Sequence, residues 1–403
     1  MAGAHAVSAS VNELPRLLYI GDVSVADSVA GEALLYRLLQ YYPQDRLALV
    51  CGIRPDMRRL PGVAYHEWAP AFPGLLHSRV AEEYVLWRAW RYYEVPPAIS
   101  HIATMFKPQA ILTISHVSGW LAAWQLARHR GVPLHLIAHD DFVYASRFPA
   151  WSRPWAERKF GEAYRFASGR FCISEAMEES YRMRFGVGAD ILYPTHKGSR
   201  DLSSVSPRVD RADRQMTFAY GGSLNSAADI DMVVRFAKAA AARGHRLMAF
   251  TPQCAILAAA AEADGASIDT RAPVHSDELL ERLRVDADCL FLPQSMAAGD
   301  RGSVATAFST KWADYATVGL PVLVWAPPQS SSARFVTTHP GCAELVTGPD
   351  VNDLLPAFEA LERSPGHRRR LAEAILAAAR TVFSPGEAWE RFRAALAAPP
   401  VTA

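Results

Sequence analysis

A short apolar run, a glycine-bearing loop and a stretch with helical spacing open this chain, and the same order begins again past its middle. Leu17-Leu18-Tyr19-Ile20 runs into Gly21, a loop reaching Gly31, and a helix predicted over 32–41 with Leu34, Leu35, Leu38 and Leu39 inward. Thr217-Phe218-Ala219-Tyr220 runs into Gly221-Gly222-Ser223 and a helix over 230–243. Strand, glycine loop and helix are how a doubly wound α/β domain starts. Further strands are predicted at 47–51, 110–116, 134–138 and 171–173, and in the second half at 245–250, 289–292 and 322–325. Helices are predicted between them, among them 119–130, 175–185, 255–263 and 277–283, with Ser174 and Ser276 as N-caps. A long helical stretch over 75–106 is broken at Pro96-Pro97. At 403 residues the chain is too long for one ordinary core. The restart divides it into a Rossmann-like domain over 1–195, a polar linker over 196–215 and a second Rossmann-like domain over 216–383, with a cleft between the domains. A tail helix occupies 384–403. Only Gly21 and Gly31 stand in the first loop, so the dinucleotide fingerprint GxGxxG is absent.

Half of the residues are hydrophobic and the formal net charge is +1, which gives no global field for nucleic acid. The 5 cysteines are scattered without metal-like spacing, and most lie in apolar runs. They fit a reducing cytoplasm. Met1 to Ser10 lacks a basic n-region, and no apolar run is long enough to span a bilayer. The helices near 79–93 and 151–165 interleave tryptophan and tyrosine with arginine and lysine. They leave room for peripheral contact with the inner face of a membrane, although solvated cations on packed helices are the plainer reading.

Phe308 to Val324 is the stretch richest in chemistry. It reads as a helix between the strands at 289–292 and 322–325, with Ser309 as N-cap and Gly319 and Pro321 as terminators. Phe308, Trp312, Tyr315 and Ala316 share one face, which is expected to be core. Lys311 falls in the first turn, against the positive end of the helix dipole. That position makes sense if an anion binds there. Asp314 shares its face, so a phosphate at Lys311 and a sugar diol at Asp314 would describe a nucleotide; a surface ion pair is the alternative.

A second cluster closes the strand at 134–138. His139, Asp140 and Asp141 fall where an open parallel sheet carries its active-site groups. A histidine beside carboxylates can do acid–base work or orient a hydroxyl. The alternatives are an aspartate capping the next helix or a metal site, against which the adjacency of the ligands speaks.

Several segments together carry a family resemblance. Cys172-Ile173-Ser174-Glu175-Ala176-Met177 is similar to the strand and Ser-Glu helix late in the N-terminal domain of GT-B glycosyltransferases, within them the retaining, GT4-like group. Tyr220-Gly221-Gly222-Ser223-Leu224 resembles the first strand and glycine loop of the family's donor domain, and 288–293 a later strand. Phe308-Ser309-Thr310-Lys311, Asp314-Tyr315 and Gly319-Leu320-Pro321-Val322 resemble the motif F-x-S-K-x-x-E-Y followed by G-x-P-V. The resemblance spans most of the chain. It implies two Rossmann-like domains facing each other across a cleft, and transfer of a sugar from a UDP- or GDP-type donor with retention. The acceptor would be a glycan, a lipid-linked molecule or a small molecule. No metal and no cofactor are expected.

By the same resemblance, Asp314 takes the ribose hydroxyls, while the N–H groups of Gly222 and Ser223, with Lys311, meet the diphosphate. Gly21, Ser309, Thr310 and His275 complete the donor set, and His139, with Asp140, works near the anomeric centre. Three features depart from the pattern. Thr306 stands where the family has a Glu, Asp314 replaces the usual Glu, and Leu224 and Asn225 follow the glycine loop where many relatives carry Arg and Lys. The departures keep open a subunit that binds a nucleotide sugar or a partner glycosyltransferase without catalysis. His139, Asp140, Asp141 and His116 leave room for a sugar-nucleotide epimerase.

Overall fold

The computed structural model describes residues 14–28, 30–68, 75, 78–142, 148–198, 201–208, 215–224 and 226–397. Met1 to Ser10, Asn225, residues 199–200 and 209–214 of the expected linker and 398–403 of the expected tail helix lie outside them. The chain divides into two compact units, one of residues up to Tyr193 together with those from Gly386, the other Pro194–Pro385.

The first unit runs β1 (Leu17–Ile20), α1 (Ala30–Leu39), β2 (Leu47–Cys51), β3 (Ala64–Glu67), α2 (Ala81–Tyr93), α3 (Pro97–Phe106), β4 (Ala110–Ile114), α4 (Gly119–Arg130), β5 (Leu134–Ala138), α5 (Arg153–Phe166), β6 (Gly169–Cys172), α6 (Glu175–Phe185) and β7 (Asp190–Ile191). The second runs β8 (Thr217–Gly221), α7 (Ala227–Ala242), β9 (Arg246–Phe250), α8 (Cys254–Ala263), β10 (Asp269–Arg271), α9 (Ser276–Asp286), β11 (Cys289–Pro293), α10 (Arg301–Thr306), α11 (Lys311–Tyr315), β12 (Val322–Trp325), α12 (Ser331–Thr338), β13 (Glu344–Val346), α13 (Leu355–Arg363) and α14 (Pro365–Arg380). A last helix, α15 (Pro385–Ala397), sets Trp389 edge-on to Tyr42 and Phe392 beside Phe171.

Both sheets are parallel. The first has seven strands in the order β3-β2-β1-β4-β5-β6-β7, the second six in the order β10-β9-β8-β11-β12-β13. In each, the order reverses beside the first strand, between β1 and β4 and between β8 and β11. A doubly wound sheet opens its ligand crevice at such a point, and the glycine loops leave β1 and β8 there. A tyrosine closes each loop. Tyr19 donates its hydroxyl to the Val23 carbonyl at 2.7 Å, and Tyr220 donates to the Ser223 carbonyl at 2.6 Å. Gly21 is required by this arrangement, because a Cβ on it would come within 2.3 Å of the Tyr19 hydroxyl.

Local signals explain many element ends. Pro97 starts α3 after Pro96, Ser174 caps α6 by accepting from the Met177 N–H at 3.2 Å, and Gly319 takes φ +76 as the stretch at 308–324 turns toward β12. Two expected caps are corrected. Ser276 is already helical and the extended His275 precedes it, so no side chain caps α9. Ser309 does not cap α11, since Thr310 already has helical angles; Ser309 serves through its carbonyl, which accepts from the Trp312 N–H at 3.2 Å. Part of the polar stretch read as a linker packs on the second unit: Leu202 and Val205 are buried, and the Arg208 N–H donates to the Gly319 carbonyl at 3.0 Å. Among the described residues no helix is long and apolar enough to cross a membrane. Trp90 and Trp151 are nevertheless 62% and 73% exposed, whereas α5 buries Phe160 and Tyr164 in the core.

Each unit has an aromatic core. Phe160 stacks on Phe142 at 4.5 Å in the first, and Phe236 on Phe291 at 3.7 Å in the second. Burying such a side chain contributes roughly 1.5–3 kcal/mol. One polar group breaks the first core. His135 of β5 pairs in register with Gly169 of β6, where a Cβ would lie 2.3 Å from its Nδ1, and neither ring nitrogen has a hydrogen-bond partner among the described residues. Burial pushes its pKa down to about 4. The unfolded ring protonates near 6.5, so the unfolded state gains the proton first as pH falls. The stability at stake is intact above about pH 6.5 and is lost toward pH 4, by up to about 3 kcal/mol. Urea unfolding of wild type and His135→Leu should therefore show a gap between them that widens in favour of the variant across this window. A constant gap would mean that the ring is hydrated.

Candidate functional site

In the second unit the geometry centres on Lys311. Its side chain lies across Gly222, such that a Cβ on that glycine would come within 2.2 Å of Lys311 Cε and 2.9 Å of Nζ. Gly222 has φ +142, a conformation that L side chains rarely adopt. The ammonium stands 5.3 Å from the centre of the Tyr220 ring, within cation–π range. Burial lowers the Lys311 pKa, while Asp229 and Asp314 pull it back up. The basis for singling out this lysine thus changes. Helix α11 is one turn of five residues with little dipole to offer, and desolvation against the glycine loop is what sets the side chain apart.

Aromatic side chains fix the turn that carries it. Phe308, Trp312, Tyr315 and Ala316 are all buried, as their spacing predicts. The Tyr315 hydroxyl accepts from the Gly221 N–H at 2.8 Å and donates to the Phe291 carbonyl at 3.4 Å, tying α11 to β8 and β11. Trp312 Nε1 donates to Ser332 Oγ at 2.9 Å.

The other expected donor residues divide. The Gly222 N–H continues the ladder to the Phe250 carbonyl at 2.9 Å, which corrects the expectation that it meets a ligand. Of the two loop N–H groups named, that of Ser223 remains, on an exposed residue. Asp314 is partly buried one turn after Lys311, and Ser309 and Thr310 are partly buried just before it. His275 is 61% exposed at the start of α9 and pairs with Asp277 at 3.7 Å, while Leu279 of that first turn faces Gly221. Thr306 is buried and donates its hydroxyl to the Gly302 carbonyl at 3.2 Å. Sequence reasoning passed over Asp229, which forms a capping box with Ser226 in the first turn of α7. The S-x-x-D spacing is the signal that would have found it.

In the first unit, His139 and Asp140 stay together at the end of β5. His139 Nδ1 lies 3.3 Å from Asp140 Oδ2, and its ring sits 3.6 Å from where a Cβ on Gly31 would be. Burial tends to raise the Asp140 pKa, yet the His139 hydrogen bond and the charges of His139 and His116 hold it below the usual value. With Asp140 ionised, His139 Nδ1 is the donor of this hydrogen bond. Nε2 is buried and has no partner among the described residues. Asp141 leaves this cluster, contrary to expectation. It is buried in an ion pair with Arg184 of α6, at 3.2 Å and 3.3 Å to its two oxygens.

Gly21 spends its N–H on the Val50 carbonyl at 3.1 Å. The next residue, Asp22, is another that sequence reasoning missed. Its Oδ2 accepts from the N–H groups of Ser118 at 2.8 Å and Gly119 at 2.5 Å, and Oδ1 pairs with buried Arg88 of α2. Among the described residues no group of three or more His, Cys, Asp or Glu side chains is arranged to hold a metal ion.

No family model matches the chain, and no curated protein matches it in sequence. Solved structures match it in shape. The Anabaena protein HepE, in complex with UDP and glucose, is 14% identical, with 94% of this chain and 98% of that one covered and a TM-score of 0.65. An α,α-trehalose-phosphate synthase (UDP-forming) from Burkholderia xenovorans, in complex with glucose-6-phosphate, is 10% identical over 95% of this chain and 100% of that one, with a TM-score of 0.67. WaaG, a glycosyltransferase involved in lipopolysaccharide biosynthesis, is 13% identical over 95% and 100%, with a TM-score of 0.61. Identities this low speak to architecture alone, and that architecture is the GT-B fold of these glycosyltransferase structures.

Proposed function

We propose that this protein is a retaining, metal-independent glycosyltransferase that moves a sugar from a UDP- or GDP-type donor to a glycan, lipid-linked or small-molecule acceptor. The observation that carries the reading is the partly buried Lys311 side chain laid over Gly222 at the sheet's switch point. In the transfer, the bond between the anomeric carbon and the β-phosphate oxygen breaks, and its electron pair leaves with the diphosphate. The acceptor oxygen bonds to the same face of that carbon, and its proton passes to the departing phosphate. Negative charge thus grows on the diphosphate, and a preorganised cation in a dry site stabilises it at that moment. Lys311 and the Ser223 N–H are assigned to the diphosphate and Asp314 to the ribose hydroxyls. Ser309, Thr310 and His275 flank the nucleotide, and His139, oriented by Asp140, handles the sugar.

The neighbours lend support, since HepE was solved with UDP and glucose and with UDP-glucose. Calorimetric titration with UDP and with GDP tests the reading. One of them is expected to bind saturably at a single site, and donor sugar nucleotide should release it only when an acceptor is supplied. If neither binds, the donor assignment fails. Interconversion of the sugar without release would point to an epimerase.

A further inference from the structure

The glycine loop after β8 uses almost all of its N–H groups within the second unit. Gly221 donates to the Tyr315 hydroxyl at 2.8 Å, Gly222 to the Phe250 carbonyl at 2.9 Å, and Leu224 to Gln253 Oε1 at 3.0 Å. Ser223 is the exception, with no acceptor for its N–H among the described residues. The peptides on either side of that N–H are held. The one before is fixed to β9 through Gly222. The one after, between Ser223 and Leu224, is gripped at both ends, because the Tyr220 hydroxyl donates to the Ser223 carbonyl at 2.6 Å. The direction of the free N–H is therefore set by its neighbours.

Tyr220 also meets the lysine. Its ring centre lies 5.3 Å from Lys311 Nζ, and the residue is 2% exposed. A ring face attracts an ammonium that has lost part of its water. The first unit supplies an internal comparison. Tyr19 stands two residues before Gly21, as Tyr220 stands two before Gly222, and both close their loops. A Cβ on Gly21 would meet the Tyr19 hydroxyl, whereas one on Gly222 would meet Lys311. In the second unit the space over the glycine thus holds a cation, with the tyrosine ring beside it.

We propose that Tyr220 is the positioning residue of the diphosphate site. Its ring seats the Lys311 ammonium and its hydroxyl aims the Ser223 N–H, so that one side chain sets both groups assigned to the diphosphate. The inference rests on the donor reading above and adds to it a residue that acts through the other two.

Hydroxyl and ring can be tested apart. Tyr220→Phe keeps the ring and loses the hydroxyl. With whichever of UDP and GDP the wild type binds, it is expected to weaken Kd about five-fold, the usual net effect of one hydrogen bond. Affinity for the matching nucleoside, uridine or guanosine, should stay within about two-fold, since it has no phosphate to meet the loop. The ring is read in the ligand-free protein. Replacing residue 220 in turn by phenylalanine and by its mono-, di- and trifluorinated analogues withdraws charge from the ring face at nearly constant shape. The pH at which Lys311 is half-labelled by an amine reagent should fall with each fluorine, by about half a unit to one unit over the series. Asp229 and Asp314, whose charges also act on Lys311, are unchanged throughout. A midpoint that stays flat across the series overturns the proposal, as does unaltered diphosphate binding in Tyr220→Phe beside a wild type that binds. Equal weakening of nucleoside and diphosphate also overturns it, because the tyrosine would then only hold the fold together. Failure of wild type to bind either diphosphate sinks the donor reading itself, on which the labelling series does not depend.

Discussion

Lys311→Met is expected to lower turnover by about 100- to 1,000-fold, the usual cost of removing one preorganised group that meets transition-state charge. The fold should be unharmed. Burial depresses the Lys311 pKa, so the charged ammonium costs the folded state free energy at neutral pH. Methionine retains the aliphatic contact with Gly222 and Tyr220 without that cost. Its Tm should match or exceed that of wild type, a trade of stability for function at one residue. Gly222→Ala should reach a similar loss of activity by another route. Its φ of +142 is strained for alanine, and the new Cβ would displace the lysine. Steady-state kinetics with donor and acceptor, beside thermal unfolding, check both variants. A fully active Lys311→Met would remove the lysine from the chemistry, and a large fall in its Tm would make the side chain structural.

Lys311 was legible in the sequence because it disagreed with its surroundings, a cation at the start of a helix bounded by Ser309 and Gly319. The elements themselves were legible for a related reason. Helical spacing at Phe308, Trp312, Tyr315 and Ala316, the proline at 97 and the cap at Ser174 act over a few residues, and the chain displays them directly. What lay hidden depends on contacts between distant segments. Gly222 looked like a donor of N–H groups, but β9 claims its N–H and its missing Cβ makes room for Lys311. Asp140 and Asp141 are neighbours in sequence, and only the packing of α6, which brings Arg184 to Asp141, decides which of them stays beside His139. Ser276 had suitable chemistry for a cap but sits one position inside α9, after the residue whose backbone leaves the helix, and Ser309 is followed by Thr310, which is already helical and takes no side-chain cap.

Asp22 gives the largest stability effect to be expected in the first unit. Its carboxylate joins three elements. It lies in the glycine loop after β1, accepts from the N–H groups of Ser118 and Gly119 where α4 starts, and pairs with Arg88, which is 2% exposed. Asp22→Ala would strand a buried guanidinium whose Nε already has no hydrogen-bond partner among the described residues. Leaving one member of a buried pair uncompensated costs about 3–5 kcal/mol, and the lost cap adds about 1 kcal/mol. The turn before α4 has no slack to absorb the change, because Val117 holds φ +44 and a Cβ on Gly119 would lie 2.9 Å from the Asp22 nitrogen. Asp22→Asn should fall between wild type and alanine, since its amide oxygen can still cap α4 but carries no charge for Arg88. Adding Arg88→Met to Asp22→Ala should then recover part of the loss, because the stranded charge is gone. Urea unfolding of wild type, Asp22→Ala, Arg88→Met and the double variant forms a double-mutant cycle with a coupling of at least about 1 kcal/mol between the two sites. Additive losses would mean that Arg88 is solvated by water and that Asp22 matters only as the cap of α4.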